Sequence, residues 1–373
     1  VGFLDRIGSA LGIRDPRVAA AEEALRAVID PDLHRDIVEL GFVRGLAVDG
    51  ARASMVLQLT TPACPARHSL TAQCEAALRS VPGVTEVDVR VSADIPGLGR
   101  SGDGLPGVRN VIAVGAGKGG VGKSTVSVHL AFALRAAGAR VGLVDADVYG
   151  PSAVRMTGVA RPTMMAGDKV VPPEVDGVAV ASMAMFAAAG EASILRGPRL
   201  GGVLRQLLFQ FDWGDRDYLI VDLPPGTGDV PLTLAQLVPL TGAVLVTSPQ
   251  EVAVLDTRKA LSMFATLQVP VLGVVETMSG FSCDCGRVHA LFGSGGGVRL
   301  AESAGVPLLG QIPFDPRVVA AADGGRNAFQ VLPDGDVARA FRGAAERLAA
   351  QVSICRLEDA DALGAFELQW ERR

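Results

Sequence analysis

The run Gly117-Lys118-Gly119-Gly120-Val121-Gly122-Lys123-Ser124 constrains this chain more than any other segment. It satisfies G-x-x-x-x-G-K-[ST] and stands between an apolar run, Val111 to Val114, and a helical pattern that reaches Ala137. Glycines let such a loop curl so that successive N–H groups face phosphate oxygens, and the helix behind it adds its positive N-terminus. Lys123 is then expected to neutralise the β and γ phosphates of ATP, and Ser124 to join the Mg2+ shell. The nucleotide cradle expected here comprises Gly117, Lys118, Gly119, Gly120, Val121, Gly122, Lys123, Ser124 and Thr125.

The residues around the loop predict the rest of the fold. Val141 to Val144, Tyr218 to Val221, Ala243 to Thr247 and Val271 to Val275 are continuous apolar runs separated by helical patterns, which predicts a mostly parallel, doubly wound α/β sheet. Asp222 ends one of these runs, where an aspartate can hold a magnesium-bound water, and Pro224 to Asp229 follows as a candidate phosphate-sensing switch. Asp145 and Asp147 end another, at the carboxyl end of the strand, where open α/β sheets collect ligands. One of this pair, with Asp147 as the candidate, is expected to orient the attacking water and the other to support Mg2+; the competing reading is that either caps the next segment.

Ahead of this sheet, residues 15–92 read as a compact α+β module. Asp15-Pro16 opens a helix, runs at Val43 to Val48 and Ser54 to Leu59 read as strands, a second helix covers about Arg67 to Val81, and Val87, Val89 and Val91 share one strand face. Residues 93–109 are glycine-rich and lack apolar periodicity, as in a linker. The expected division is therefore a module over 1–92, a linker over 93–109, a nucleotide-binding domain over 110–352 and a short acidic tail over 353–373, either one amphipathic helix or a disordered end. A length of 373 residues suits two domains.

A net charge of −5 argues against a general nucleic-acid or membrane-surface binder, and five cysteines do not read as a secreted disulfide framework, so a cytoplasmic location is expected. The run Gly177 to Gly190 is too short to cross a bilayer and reads as buried strand and loop. Lysine is scarce, at positions 118, 123, 169 and 259 only, and two of these sit in the glycine loop.

The extra Lys118 resembles the deviant Walker A loop of the MinD, ParA, ArsA and nitrogenase-iron-protein class. That resemblance implies an ATP-gated homodimer in which Lys118 reaches the partner's nucleotide and serves catalysis with Lys123. Asp145 to Ser152, Arg196-Gly197-Pro198, Asp222 to Asp229 and Met278 to Gly297 are together similar to the Mrp/ApbC family of iron–sulfur cluster carrier ATPases. Ile29 to Leu33, Asp36 to Gly41 and Thr60 to Pro65 look like the small SufT-like iron–sulfur assembly domain. Apo iron–sulfur proteins and cluster donors are the partners so implied, with no nucleic acid and no membrane.

Cys283 and Cys285 carry the metal reading. Thiolates are the standard cluster ligands, and a 4Fe–4S cluster takes four, so a symmetric dimer would supply the full set from two chains. The family pattern is C-x-x-C; here the spacing is one residue shorter, and Thr277 stands where the family usually has asparagine before methionine. Competing readings are a zinc site that includes His289 and no metal at all. Cys64 lies between a strand and a helix N-terminus, which is expected to lower its pKa; the resemblance implies a role in cluster handling, and the competing reading is a small hydrophobe. Cys74 reads as core, and Cys355 has no assigned role. The rival function is a ParA- or MinD-like positioning ATPase without a cluster, which would need a basic C-terminal helix or nucleoid-binding patch; a nitrogenase-like reductase would draw its cysteines from two separated segments.

Overall fold

The computed structural model describes residues 15–97, 104–147, 150–159, 165–185, 197–283 and 285–370. Val148, Tyr149, residues 186–190 of the apolar run, Arg196, Asp284 and residues 371–373 of the tail lie outside the described residues. The chain forms two units that divide at Ile95 and Pro96.

In the N-terminal unit, helix α1 (Pro16–Leu25) starts as its sequence dictates: Asp15 accepts a hydrogen bond from the amide of Arg17, and proline occupies the first turn. Strands β1 (Val43–Asp49) and β2 (Arg52–Leu59) pair antiparallel, helix α2 (Arg67–Arg79) follows, and β3 (Glu86–Ala93) returns parallel to β2. Ala21, Leu25, Met55, Leu57, Leu59, Leu70, Cys74 and Leu78 close the core between sheet and helices, so Cys74 is the packed side chain its helical spacing suggested. The motif aspartates of this unit serve the backbone. Asp30 Oδ1 accepts from the amides of Asp32 and Leu33, and Asp36 Oδ1 from those of Val38 and Glu39.

The larger unit holds β4 (Val108–Ala116), α3 (Lys123–Ala136), β5 (Val141–Asp145), α4 (Ala153–Thr157), β6 (Met165–Ala166), β7 (Lys169–Val170), β8 (Glu174–Val175) and β9 (Val178–Ser182) in its first half. Then come α5 (Gly197–Phe209), β10 (Arg216–Asp222), α6 (Asp229–Leu237), β11 (Gly242–Thr247), α7 (Glu251–Thr266) and β12 (Val271–Ser282). The chain continues through β13 (Val288–His289), α8 (Gly296–Ala304), β14 (Leu308–Phe314), α9 (Pro316–Asp323), α10 (Ala328–Val331) and α11 (Asp336–Trp370). Val108 and Arg109, placed in the linker by sequence, are the first residues of β4. The tail expected from residue 353 continues helix α11, because Val352, Ser353 and Arg356 are buried and Arg356 bonds Asn110 and Thr241.

The central sheet runs β13-β12-β11-β4-β10-β5-β9-β8, with β14 also on β12. Its body is parallel, and only the β8–β9 and β12–β13 pairs are antiparallel. Strand residues alternate between two faces. Val111, Ala113, Leu219, Val221, Ala243 and Leu245 pack against α5, α6 and α7 through Leu204, Leu207, Leu234 and Phe264. Ile112, Val114, Leu143, Ile220 and Val244 are equally buried on the other face, where α3 and α11 pack together. The doubly wound class read from the sequence is the observed one.

Candidate functional site

The site is built where β4, β5 and β10 end. Register pairs Asp222 with Val114 on one side and Asp145 on the other, so two aspartates far apart in sequence become neighbours in the sheet. Between β4 and α3 runs the glycine loop. Gly120 and Gly122 both adopt φ 80°, the left-handed region that glycine enters without steric cost. A Cβ at Gly117 would meet the backbone carbonyl carbon of Asp256 at 2.1 Å, so α7 leaves room only for glycine. At Gly120 a Cβ would find nothing within 4 Å, which leaves the mouth of the loop open to a ligand.

Lys123, only 6% exposed, is the first residue of α3. Its Nζ donates to Asp222 Oδ1 at 2.7 Å and lies 3.3 Å from Ser124 Oγ and 3.9 Å from Asp147 Oδ2. Ser127, one turn further along α3, also donates to Asp222 Oδ1 at 2.7 Å. It was not singled out from the sequence, although its place four residues after Lys123 puts it on the same helix face. Asp145 Oδ1 accepts from the amide of Asp147, and its Oδ2 from the amide of Ala153 and from Ser182. Burial, and then the Asp222 charge, push Asp145 up to about 7. Asp145 thus receives the first amide of α4, as the capping reading expects, and sits next to Asp222 in the sheet register.

Asp222 Oδ2 is buried and has no hydrogen-bond partner among the described residues. A carboxylate oxygen left in this condition at the end of a P-loop strand, near Ser124 Oγ, suits a hydrated divalent cation, so the donor set fits Mg2+. The Lys118 ammonium is half-buried and makes no hydrogen bond or ion pair among the described residues, unlike that of Lys123.

Two residues of β12 tie neighbouring segments together. Thr277 Oγ1 donates to the carbonyl oxygen of Val121 at 2.7 Å, with the carbonyl of Thr247 3.1 Å away. Glu276, fully buried, accepts from the amide of Gly297 at 2.6 Å and from Gln311 at 2.7 Å. Its carboxylate therefore holds the N-terminal turn of α8. Five residues beyond Thr277, β12 ends at Ser282, and the chain turns back as β13 with Ser282 opposite Val288 and Phe281 opposite His289.

That hairpin carries Cys283 and Cys285, and here the structure corrects the expectation of two free thiolates: the sulfurs are joined as a disulfide. The reason is local. The Cys283 amide bonds the Arg287 carbonyl and the Gly286 amide bonds the Cys283 carbonyl, so a tight turn brings the two side chains together. His289 completes a group in which both sulfurs and an imidazole nitrogen lie within 4.8 Å of one another. A second correction concerns Cys64. The amides of Ala66 and Arg67 at the start of α2 do lower its pKa, but burial outweighs them and, with Asp30 and Asp32 nearby, pushes the thiol up to about 11. Cys64 is therefore held as a thiol and packs against the core of its unit.

Glycine loop, buried lysine and two strand-end aspartates on a parallel sheet define a P-loop NTPase. A nucleotide-binding protein from Archaeoglobus fulgidus, in complex with ADP, superposes with a TM-score of 0.55 at 35% identity, covering 62% of this chain and 91% of that one. The cell-division ATPase MinD of Pyrococcus furiosus gives 0.50 at 26% identity, over 64% of this chain and 98% of that one. The chain belongs to the NUBPL iron-transfer P-loop NTPase family, whose model matches residues 107–349, and residues 19–89 match the model of an iron–sulfur cluster assembly protein. It is 47% identical to the iron–sulfur cluster carrier protein of Deinococcus radiodurans, over 90% of this chain and 96% of that one. The Escherichia coli K12 protein of the same description is 39% identical over 90% of this chain and 94% of its own length. No described helix is long and apolar enough to cross a membrane.

Proposed function

We propose that this chain is an ATP-hydrolysing iron–sulfur cluster carrier that works as a homodimer, accepting a cluster from a donor and passing it to apo iron–sulfur proteins. The observation that carries this reading is the placement of the two sites on one strand: Thr277 of β12 holds the phosphate loop, and Cys283 follows the last residue of that strand. Relatives named as cluster carriers, matched over nearly their whole length, support it.

In this reading Lys123 leaves Asp222 for the β and γ phosphates, and the amides of residues 117–122 receive their oxygens. Mg2+, when bound beside Ser124 and Asp222, supplies charge neutralisation for the transferring phosphoryl group. Asp147 orients the attacking water, and Lys118 enters the partner's site to stabilise negative charge as it develops. Cys283 and Cys285, once a thiol reductant has delivered two electrons and two protons to the disulfide, provide two thiolates per chain. Two chains then offer the four that a bridging 4Fe–4S cluster takes.

Anaerobic reconstitution with iron, sulfide and a dithiol reductant tests the reading, with metal and sulfide counted per dimer with and without ATP. The expected count is about four irons per dimer, lost in Cys283→Ser and in Cys285→Ser and retained in Cys64→Ser. Iron binding indifferent to both hairpin cysteines would overturn it.

A further inference from the structure

The β12–β13 hairpin brings together more donors than a pair of bridging thiolates requires. Phe281 pairs with His289 across it, which places the imidazole beside the cysteine turn, and Gly286 takes φ 79° to make that turn. All three donor atoms, from Cys283, Cys285 and His289, lie within 4.8 Å of one another. A single tetrahedral ion with metal–sulfur and metal–nitrogen bonds of about 2.3 and 2.0 Å holds its donors about 3.5 to 3.8 Å apart. The three groups are therefore close enough to close on one ion by side-chain rotation, without the partner chain. Two thiolates and an imidazole are the donor types that suit zinc, cobalt and ferrous iron, whereas magnesium and calcium take oxygen.

We infer that the reduced hairpin of each single chain is a mononuclear site for a divalent transition-metal ion, bound by Cys283, Cys285 and His289 with a fourth position left open. The site rests on the reading of this hairpin as metal-holding, and adds to it a ligand and a state that needs no dimer. Its chemistry balances simply: a dithiol reductant gives two electrons and two protons to the disulfide, and the ion then displaces the two thiol protons. An open fourth position on a hairpin whose Cys285 and His289 are exposed is where a sulfide or a donor's thiolate can add.

The test is titration of the full-length chain with Co2+ and, in competition, Zn2+, after anaerobic reduction and without nucleotide. The expected result is one ion per chain, with sulfur-to-cobalt charge-transfer absorption from two thiolates and visible bands of a four-coordinate ion. The chain kept oxidised should bind none. His289→Ala should weaken cobalt by at least about tenfold, since even an outer-sphere partner of a metal ligand is worth about 10- to 100-fold. Circular dichroism of that variant checks that the fold is kept, and His289→Cys, which restores a soft donor, should recover affinity. Half an ion per chain, or cobalt affinity unchanged in His289→Ala, overturns the inference. If a cluster forms under reconstitution but cobalt ignores His289, this site falls and the carrier reading stands. If cobalt binds as expected and no cluster forms, the carrier reading falls and this site stands.

Discussion

Thr277 and Val121 lie 156 residues apart, yet the threonine hydroxyl donates to the valine carbonyl at 2.7 Å. Its neighbour Glu276 holds the amide of Gly297, at the start of the helix that closes the cysteine loop. Consecutive residues of β12 thus pin the phosphate loop and the far end of the cysteine loop. Beside this contact Gly122 takes φ 80°, the left-handed region that favours glycine, and a Cβ there would rest in ordinary contact with the Thr277 methyl at 3.5 Å. Replacing Thr277 by valine keeps the shape and leaves the Val121 carbonyl without its donor. The expected cost is about 1 to 2 kcal/mol in stability by urea unfolding, with weaker ATP binding by calorimetry, and Thr277→Ser should restore both. Unaltered ATP affinity in the valine variant would show that the loop holds its shape without this bond.

Lys123→Ala should abolish ATP binding, because the charge-assisted contact to the phosphates disappears from a dry site. It should also destabilise the protein by about 3 to 5 kcal/mol, since Asp222, fully buried, loses its ion-pair partner. Adding Asp222→Asn to that variant should recover much of the stability and none of the binding. Calorimetry and denaturant unfolding on the three variants separate the two effects.

Lys118→Ala should behave differently, because the Lys118 ammonium makes no hydrogen bond or ion pair among the described residues while that of Lys123 is paired. ATP affinity of the single chain should be close to wild type, and ATP-promoted dimer formation and hydrolysis should fall. A lysine acting in trans on the phosphoryl group predicts a loss on the order of 10³-fold in turnover. Mixed dimers of Lys118→Ala with Lys123→Ala chains should regain part of the activity; additive loss in such mixtures would place Lys118 in its own chain's site.

His129 offers a pH test. Its Nδ1 donates to the Thr125 carbonyl at 2.7 Å, its Nε2 accepts from the amide of Ala328 at 3.0 Å, and its ring stacks on Phe341. Both nitrogens are committed to the neutral ring, and burial lowers its pKa from 6.5 to about 4. Below pH 6.5 the unfolded chain takes a proton that the folded chain refuses, so stability falls as pH drops from about 6.5 to 4 and is fully present above. The size of this contribution is about 3 kcal/mol. Subtracting the pH profile of His129→Gln from that of the wild type should isolate it; parallel profiles would show that the ring titrates normally.

The phosphate loop was legible in the sequence because its requirements are local. Glycines at 117, 120 and 122, Lys123 and Ser124 fall within one short segment, and the strand before them and the helix after them announce themselves by apolar pattern alone. The parallel sheet was legible for the same reason, since strands buried on both faces are continuous apolar runs. What the tertiary structure decided are relations between distant segments. Burial, and then the charge of Asp222 that strand register sets beside it, raise the pKa of Asp145, and an oxygen of Asp222 is buried without a hydrogen-bond partner among the described residues. Burial, which no local pattern reports, made Cys64 a protonated thiol despite its place at a helix N-terminus. Packing of Val352, Ser353 and Arg356 against the domain carried α11 through the expected tail. The pairing of Phe281 with His289 set beside the two cysteines the imidazole that the sequence offered only as one of several competing readings. Sequence pattern encodes what neighbouring residues do to one another; desolvation, register and long-range hydrogen bonds exist only once the chain has folded.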